Sequence, residues 1–215
     1  DTTKGKEGHQ EILKAFGEHR ADILIGTQMI VKGHDFPRVT LMGVLAADLS
    51  LHISDYRAAE RTFQLLTQAA GRAGRGRDPG EVVIQTYDPE HYAVVCGAKQ
   101  DYEAFYRQEI AYRQLSGYPP AGGLLAIHCM SQGQEKLELA VSYLGRFARQ
   151  AAAPRNAAVM GPADEVLSKI NDIYRKVLYI KHEDPGILIR IKNLMEQYIS
   201  MNEGFQGIQI HFERR

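Results

Sequence analysis

The stretch VTLMGVLAA, residues 39–47, is apolar nearly throughout and decides the fold class of this chain. A strand with one wet face alternates apolar and polar residues, whereas a strand in a parallel sheet covered on both faces is apolar at almost every position. The stretch is much too short to span a membrane as a helix. It therefore predicts a buried strand in an α/β sheet.

The flanking segments alternate helix and strand as such a sheet requires. Upstream, residues 11–16 predict the end of an amphipathic helix, and DILIG, residues 22–26, predicts a short buried strand. Downstream, Asp55 is a candidate N-cap for a helix over residues 56–70, and residues 81–87 predict a third strand. This order predicts a partial α/β lobe built on a parallel sheet.

The second half of the chain predicts a smaller fold. An acidic and aromatic helix over residues 101–115 leads to GYPPAGG, residues 117–123, the best candidate for a boundary or hinge. The segments beyond it predict strand, helix, strand, strand, helix and strand at residues 124–130, 135–152, 157–160, 174–182, 187–200 and 208–213. This βαββαβ order predicts a ferredoxin-like α+β domain, with four strands in one sheet and two helices on one face.

Composition and charge exclude several classes of protein. Lysine plus arginine, 26, equals aspartate plus glutamate, 26, so any binding of nucleic acid must come from local patches. Two cysteines, Cys96 and Cys129, are too few for a disulfide framework or a four-cysteine zinc site, and the histidines show no ligand spacing, so we expect no metal here. Without a signal-peptide pattern we expect a cytoplasmic protein. The chain begins without methionine in sequence that leads into a helix, which favours a fragment of something longer.

The stretch TQAAGRAGRGR, residues 67–77, repeats glycine and arginine at three-residue spacing at the end of the predicted helix. If the helix continues, Gln68, Arg72 and Arg75 lie on one face, and paired guanidiniums suit a phosphate. Gly71 and Gly74 would then be small where a ligand comes close, since glycine inside a helix costs about 1 kcal/mol relative to alanine. The alternative is an ordinary helix end with a glycine cap and arginines that meet the helix dipole. Taken alone, the stretch leaves both interpretations open.

A second segment, GTQMIVKGHDFP, residues 26–37, follows the predicted strand at the point where α/β sheets bind ligands. Gly33 permits a backbone turn close to a ligand, Asp35 offers a carboxylate for sugar hydroxyls, and Thr27 offers a hydroxyl for a phosphate. Each of them alone is as easily explained as a cap or a turn residue.

Together the two segments are specific. GTQMIVKGHDFP followed by QAAGRAGR resembles motifs V and VI of superfamily 2 helicases, on the second RecA-like lobe. The flanking LAADLSLHISDYRAAERTFQLLTQ, with PGEVVIQTY and GYPP, narrows the resemblance to the primosomal protein N′ family of replication-restart helicases. The resemblance is dense over residues 21–87 and reduces to scattered landmarks in the last hundred residues.

The resemblance implies that Arg72 and Arg75 are arginine fingers that reach the γ-phosphate of ATP held by another lobe, with Gln68 beside them. ATP and Mg²⁺ would be bound mainly by that lobe, because this sequence has neither a G-x-x-x-x-G-K-[ST] phosphate loop nor an acidic Mg²⁺-binding box. We therefore expect that the chain alone does not hydrolyse ATP. The family's zinc is expected only in the missing part of the full-length protein.

The resemblance also assigns roles to the segment over residues 26–37. It implies that Gly33 and Asp35 face the nucleotide, and that Thr27 and Lys32 face the DNA backbone. Closure of the lobes on ATP would shift this segment, and hydrolysis would release it, which couples hydrolysis to translocation.

In the second half, strand alternation places Arg175, Val177, Tyr179 and Lys181 on one face of the predicted strand. Two cations and an aromatic ring suit phosphate contact and base stacking, although a solvated sheet face fits the pattern equally well. The resemblance favours the first interpretation. It implies a domain that binds branched and single-stranded DNA and the single-stranded-DNA-binding protein, with other primosome proteins as partners and no membrane.

Sequence and resemblance together predict the C-terminal fragment of an ATP-dependent 3′-to-5′ DNA helicase that recognises stalled or branched replication forks and restarts replication. We expect residues 1–95 to belong to the second helicase lobe, 96–122 to form a helical connector, and 123–215 to bind DNA and partners. The protein would be bacterial, cytoplasmic and associated with the nucleoid. The alternative is a non-catalytic DNA- or protein-interaction module that retains a helicase-like lobe.

Overall fold

The computed structural model describes residues 6–27, 36, 38–71 and 79–215, with side chains from residue 8 onward, and the chain divides into two compact units, Asp1–Tyr106 and Arg107–Arg215. In chain order the described α-helices and strands are α1 (Lys6–Gly17), β1 (Leu41–Val44), α2 (Ala58–Ala70), β2 (Glu81–Ile84), α3 (Tyr92–Lys99), α4 (Tyr102–Ser116), β3 (Gly123–Ser131), α5 (Gln134–Ala152), β4 (Ala158–Ile170), β5 (Ile173–His182), α6 (Pro185–Met201) and β6 (Gln209–Arg214). Short 3₁₀ helices cover Ala47–Ser50, Ala153–Arg155 and Glu203–Phe205.

The first unit is an α/β arrangement around a parallel pair of strands. β1 and β2 run parallel, with Val44 opposite Ile84. These two side chains pack with Leu66 of α2 and Val94 of α3. The predicted parallel sheet is confirmed, and its buried face rests on α2.

Two details of the predicted sheet are wrong. Residues 22–26 form no strand, and Ile23 and Ile25 are 78% and 87% exposed. An extended segment becomes a strand only when a neighbour pairs with its N–H and C=O groups, and no described residue does so here. The strand predicted over residues 39–47 shortens to β1, and Leu41 and Val83 are exposed, so the described part of the sheet is covered on one face.

The start of α2 also differs from the prediction. The helix begins at Ala58 and not at residue 56, and Arg57 rather than Asp55 is the capping residue. The Asp55 carboxylate accepts from Arg57 N at 3.0 Å and pairs with the Arg61 guanidinium at 2.9 Å. Asp55 therefore holds the turn before the helix.

The second unit is the predicted ferredoxin-like domain. Its four strands lie in the order β4-β5-β3-β6, and every neighbouring pair is antiparallel. Helices α5 and α6 pack on one face of this sheet, and full burial of each large aliphatic side chain contributes about 1.5–3 kcal/mol. The core contains Leu125, Ile127, Leu137, Leu144, Leu178, Ile180, Leu188, Ile191 and Met195.

The second strand of this domain is longer than predicted. β4 extends to Ile170 and joins β5 through a tight turn in which Asn171 and Asp172 have φ values of 49° and 61°. Asn and Asp tolerate this left-handed conformation better than most residues, which suits them to a hairpin turn. The pairing of β4 with β5 shifts register between Met160 and Ala163 and again between Asp164 and Lys169, so β4 is bulged at both places.

Candidate functional site

The end of helix α2 is the described part of the predicted nucleotide site. Phe63, Leu66 and Ala69 point into the unit and are 6%, 1% and 3% exposed, whereas Gln68 is exposed. Phe63, Leu66 and Ala69 are spaced three residues apart and therefore share one face of the helix, whereas Gln68 falls on another face. Gln68 is therefore on the outer surface of α2, one turn before its end.

Gly71, the residue after α2, is not explained by the described structure. Its φ of −71° is an ordinary right-handed value, so it is not the left-handed cap that usually requires glycine. A Cβ added there would meet Thr67 O at 3.5 Å and Gln68 O at 3.7 Å, which are ordinary contacts. Among the described residues, neither backbone conformation nor packing demands a glycine at this position.

Of the other residues predicted to contact the nucleotide or the DNA backbone in the first unit, the structure describes one. Thr27 is described and is exposed, in a segment without regular structure. No contact between Thr27 and Gln68 is found in the described part of the chain. The remaining residues of this group, Lys32, Gly33, Asp35, Arg72 and Arg75, lie outside the described residues.

Asp48 organises the ends of the two parallel strands, which sequence reasoning missed. The side chain is 4% exposed and accepts hydrogen bonds from Tyr87 N at 2.8 Å, from Asp88 N at 3.2 Å and from the Thr86 hydroxyl. The Thr86 hydroxyl and the Tyr87 N–H are the main causes that lower the pKa of this carboxyl below its usual value. Asp48 thus fixes the loop after β2 to the turn after β1, at the edge where α/β sheets bind ligands. An aspartate directly after an apolar strand was the available signal.

In the second unit, Arg175, Tyr179 and Lys181 lie on the face of β5 opposite α5 and α6. Their neighbours Leu178 and Ile180 belong to the core under the helices, and alternation turns the three side chains away from it. The predicted sharing of one face therefore holds. Lys181 and Arg175 interact with different parts of the second unit.

Lys181 is engaged within its own unit. Its Nζ donates to Ser116 O at 3.1 Å and stands 3.2 Å from the centroid of the Tyr118 ring. Burial lowers the pKa of this ammonium. Its charge therefore anchors the end of α4 and the first part of the segment over residues 117–123.

Arg175 takes part in a polar network that spans the sheet and that sequence reasoning did not find. His128 Nδ1 of β3 lies 2.7 Å from Glu165 Oε1 of β4, and His128 Nε2 lies 3.4 Å from Glu213 Oε2 of β6. The Arg175 guanidinium lies 3.5 Å from the second oxygen of Glu165. The network braces the bulged part of β4 against the rest of the sheet. The residues of this network come from four different strands, so no local sequence motif indicates it.

The structure describes both cysteines of the chain. Cys96 and Cys129 are both buried and belong to different units. In the part of the chain that the structure describes, no group of three or more His, Cys, Asp or Glu side chains could hold a metal ion. No described helix is long and apolar enough to cross a membrane.

Comparison with known proteins places these features in context. Residues 1–77 match the family described as "Helicase conserved C-terminal domain". The chain is 44% identical over 199 residues to the replication restart protein PriA of Bacillus subtilis (strain 168), covering 92% of this chain and 25% of that protein. It is 40% identical over 182 residues to PriA of Synechocystis sp., covering 85% of this chain and 22% of that protein.

A third relative gives the same picture over a shorter span. PriA of Chlamydia pneumoniae is 48% identical over 134 residues, covering 62% of this chain and 18% of that protein. The chain thus spans about a quarter or less of the length of these three curated relatives.

Proposed function

Because this chain belongs to the family of the replication restart protein PriA, we propose that it is the C-terminal portion of an ATP-dependent 3′-to-5′ DNA helicase that recognises stalled or branched replication forks and restarts replication. In this proposal residues 1–95 belong to the second motor lobe, residues 96–122 connect the domains, and residues 123–215 bind DNA and partners. The partners are branched and single-stranded DNA, the single-stranded-DNA-binding protein and other primosome proteins. The protein acts in the cytoplasm, on the nucleoid.

The observation that carries the proposal is the end of α2. Gln68 is exposed there, and Gly71 occupies a position where the described residues would accept a Cβ. Glycine is the residue type that lets a backbone come close to a ligand. Arginine follows at Arg72 and Arg75, and a guanidinium offers the donor geometry that a phosphate prefers.

In the full-length protein these residues would act on a nucleotide held mainly by the other lobe. ATP with Mg²⁺ supplies the free energy for translocation. Arg72 and Arg75 neutralise charge that develops on the transferred phosphoryl group, an effect on the order of 1000-fold or more in rate. Gln68, exposed on the last turn of α2, would orient the reacting groups.

The segment over residues 26–37 would couple hydrolysis to movement. Gly33 and Asp35 contact the nucleotide, and Thr27 and Lys32 contact the DNA backbone. The exposure of Thr27 supports this assignment, because a buried hydroxyl could not reach a phosphate. Without the phosphate loop, the chain alone does not hydrolyse ATP.

The C-terminal domain would bind DNA through the face of β5 that carries Arg175, Tyr179 and Lys181. Arg175 supplies a phosphate contact and Tyr179 a ring for base stacking. Lys181 adds positive charge near this face while it anchors residues 116–118. The basic side chains of this face attract the phosphate backbone locally, although the net charge of the chain is zero.

A fluorescence-anisotropy titration of the chain with forked DNA over a range of salt concentrations tests the DNA-binding part. We expect the Arg175→Gln variant to bind several-fold more weakly and to reduce the slope of log Kd against log salt by about one. Arg190→Gln is the matched control, because it removes the same charge from α6 on the other side of the sheet. Absence of binding at low salt would remove the DNA-binding assignment.

A further inference from the structure

Helix α2 lies close against helix α3 at a glycine. A Cβ added to Gly97 of α3 would stand 2.9 Å from Leu66 Cβ and 3.2 Å from Leu66 Cδ1. Carbon atoms in good contact are about 3.5–4.0 Å apart. Leu66 is 1% exposed, and its Cβ is fixed to the helix backbone and cannot rotate away. Any side chain at position 97 would therefore have to push α2 off α3.

Two further contacts set the position of α2 along α3. Phe63, one turn before Leu66, packs in one cluster with Ala93 and Cys96 and stacks on the Phe105 ring, with the ring centroids 4.2 Å apart. The carbonyl oxygen of Thr67, the residue after Leu66, accepts a hydrogen bond from Gln100 Nε2 at 3.5 Å. The last turn of α2 is thus held by packing before Gly97 and by a polar contact after it.

We infer that Gly97 and Gln100 are positioning residues for the arginines that follow α2. They act by fixing the point at which the chain leaves α2 at Gly71, next to Arg72. The inference rests on the proposed function. A methyl group at position 97 would demand a retreat of about half an ångström or more, since the contact starts that much below an ordinary one. Misplacement of a catalytic group by about 1 Å can cost on the order of 100-fold in rate.

The test is DNA-stimulated ATP hydrolysis by the full-length protein that contains this chain. We expect Gly97→Ala to lower kcat by about 10- to 100-fold. The KM for ATP should stay within about threefold, because the nucleotide is held mainly by the other lobe. An unchanged kcat, together with an inactive Arg75→Ala variant, would overturn the inference and leave the proposed function standing.

Val94→Ala is the matched control. Val94 packs against the same Leu66 from the same helix, but its truncation removes contacts and does not push α2. Its melting temperature should fall while kcat stays close to that of the unaltered protein. An equal loss of kcat in both variants would reduce Gly97 to a packing residue and overturn the inference.

Gln100→Asn decides the matter if Gly97→Ala does not fold. Gln100 is exposed and has a φ of 55°, a conformation that Asn accepts, so the variant only shortens the reach toward Thr67 O. We expect kcat to fall several-fold at an unchanged melting temperature, and an unchanged kcat would overturn the inference. Absence of DNA-stimulated hydrolysis in the unaltered protein would instead overturn the proposed function, and the inference with it.

Discussion

The ammonium of Lys181 and the ring of Tyr118 form a close cation–π contact, with 3.2 Å between Nζ and the ring centroid. The same ammonium donates to Ser116 O at 3.1 Å, at the end of α4. In the sequence, the segment over residues 117–123 looks like a boundary or hinge. In the structure its first residues are tied to β5 by the side chain of one lysine.

Lys181→Met keeps the aliphatic stem and removes the ammonium. We expect the free energy of unfolding of the second unit to fall by about 1–2 kcal/mol, because a partly desolvated cation–π contact and a charged hydrogen bond are both lost. Urea denaturation measures the change. Lys136→Met, which removes an exposed ammonium from α5 of the same unit, should cost less than about 0.5 kcal/mol. Equal effects for the two variants would contradict the anchoring role.

Asp48 makes the free energy of unfolding of the first unit depend on pH. Hydrogen bonds from Thr86, Tyr87 and Asp88 lower its pKa below the usual 3.8. The unfolded chain therefore takes up this proton more readily, so the stabilisation is present above about pH 4 and is lost as pH falls through the folded pKa. Asp48→Asn should be less stable than the unaltered chain at pH 7, with a difference that shrinks toward pH 3. Urea denaturation across this range measures it, and Glu90→Gln, exposed nearby, is the control. A difference in the free energy of unfolding between the unaltered chain and Asp48→Asn that stays constant from pH 7 to pH 3 would contradict the role of this carboxylate.

Cys129 should be unreactive while the second unit is folded. Burial, with a smaller contribution from Glu165, raises the pKa of its thiol to about 12. At pH 8 the reactive thiolate is then on the order of 10⁻⁴ of the total. Iodoacetamide labelling followed by peptide mass spectrometry should find Cys129 unmodified in buffer and fully modified in guanidinium chloride. Rapid labelling in buffer would mean that the core around β3 opens readily.

The ferredoxin-like domain was predictable because its signals are local. A nearly continuous apolar run marked β3, a segment rich in β-branched and aromatic residues marked β5, and helical periodicity marked α5 and α6. The second half of β4 was not predicted, because polar and apolar residues are equally frequent over residues 163–170 without regular alternation. These residues are largely exposed and owe their strand geometry to pairing with β5. Burial of residues 22–26 was a prediction from hydrophobicity alone, and pairing between strands is not a local property.

Some features of the candidate site were predictable from the sequence, and others were not. The shared face of Arg175, Tyr179 and Lys181 follows from strand alternation, and the exposed position of Gln68 from helix periodicity. Helix α3 gave no clear signal, since YAVVCGAK is short and contains two valines and a glycine, and it owes its place to packing on α2. The partners of Asp48 and His128 come from distant strands, so only the folded chain identifies them.

The measurement that tests the central claim most directly is DNA-stimulated ATP hydrolysis by the full-length protein with Arg75→Ala. The account predicts a loss of kcat on the order of 1000-fold or more, with the Kd for forked DNA nearly unchanged. Arg75→Lys keeps the charge but loses the planar fork, so it should recover only part of the activity. Unchanged turnover in the Arg75→Ala variant would contradict the account.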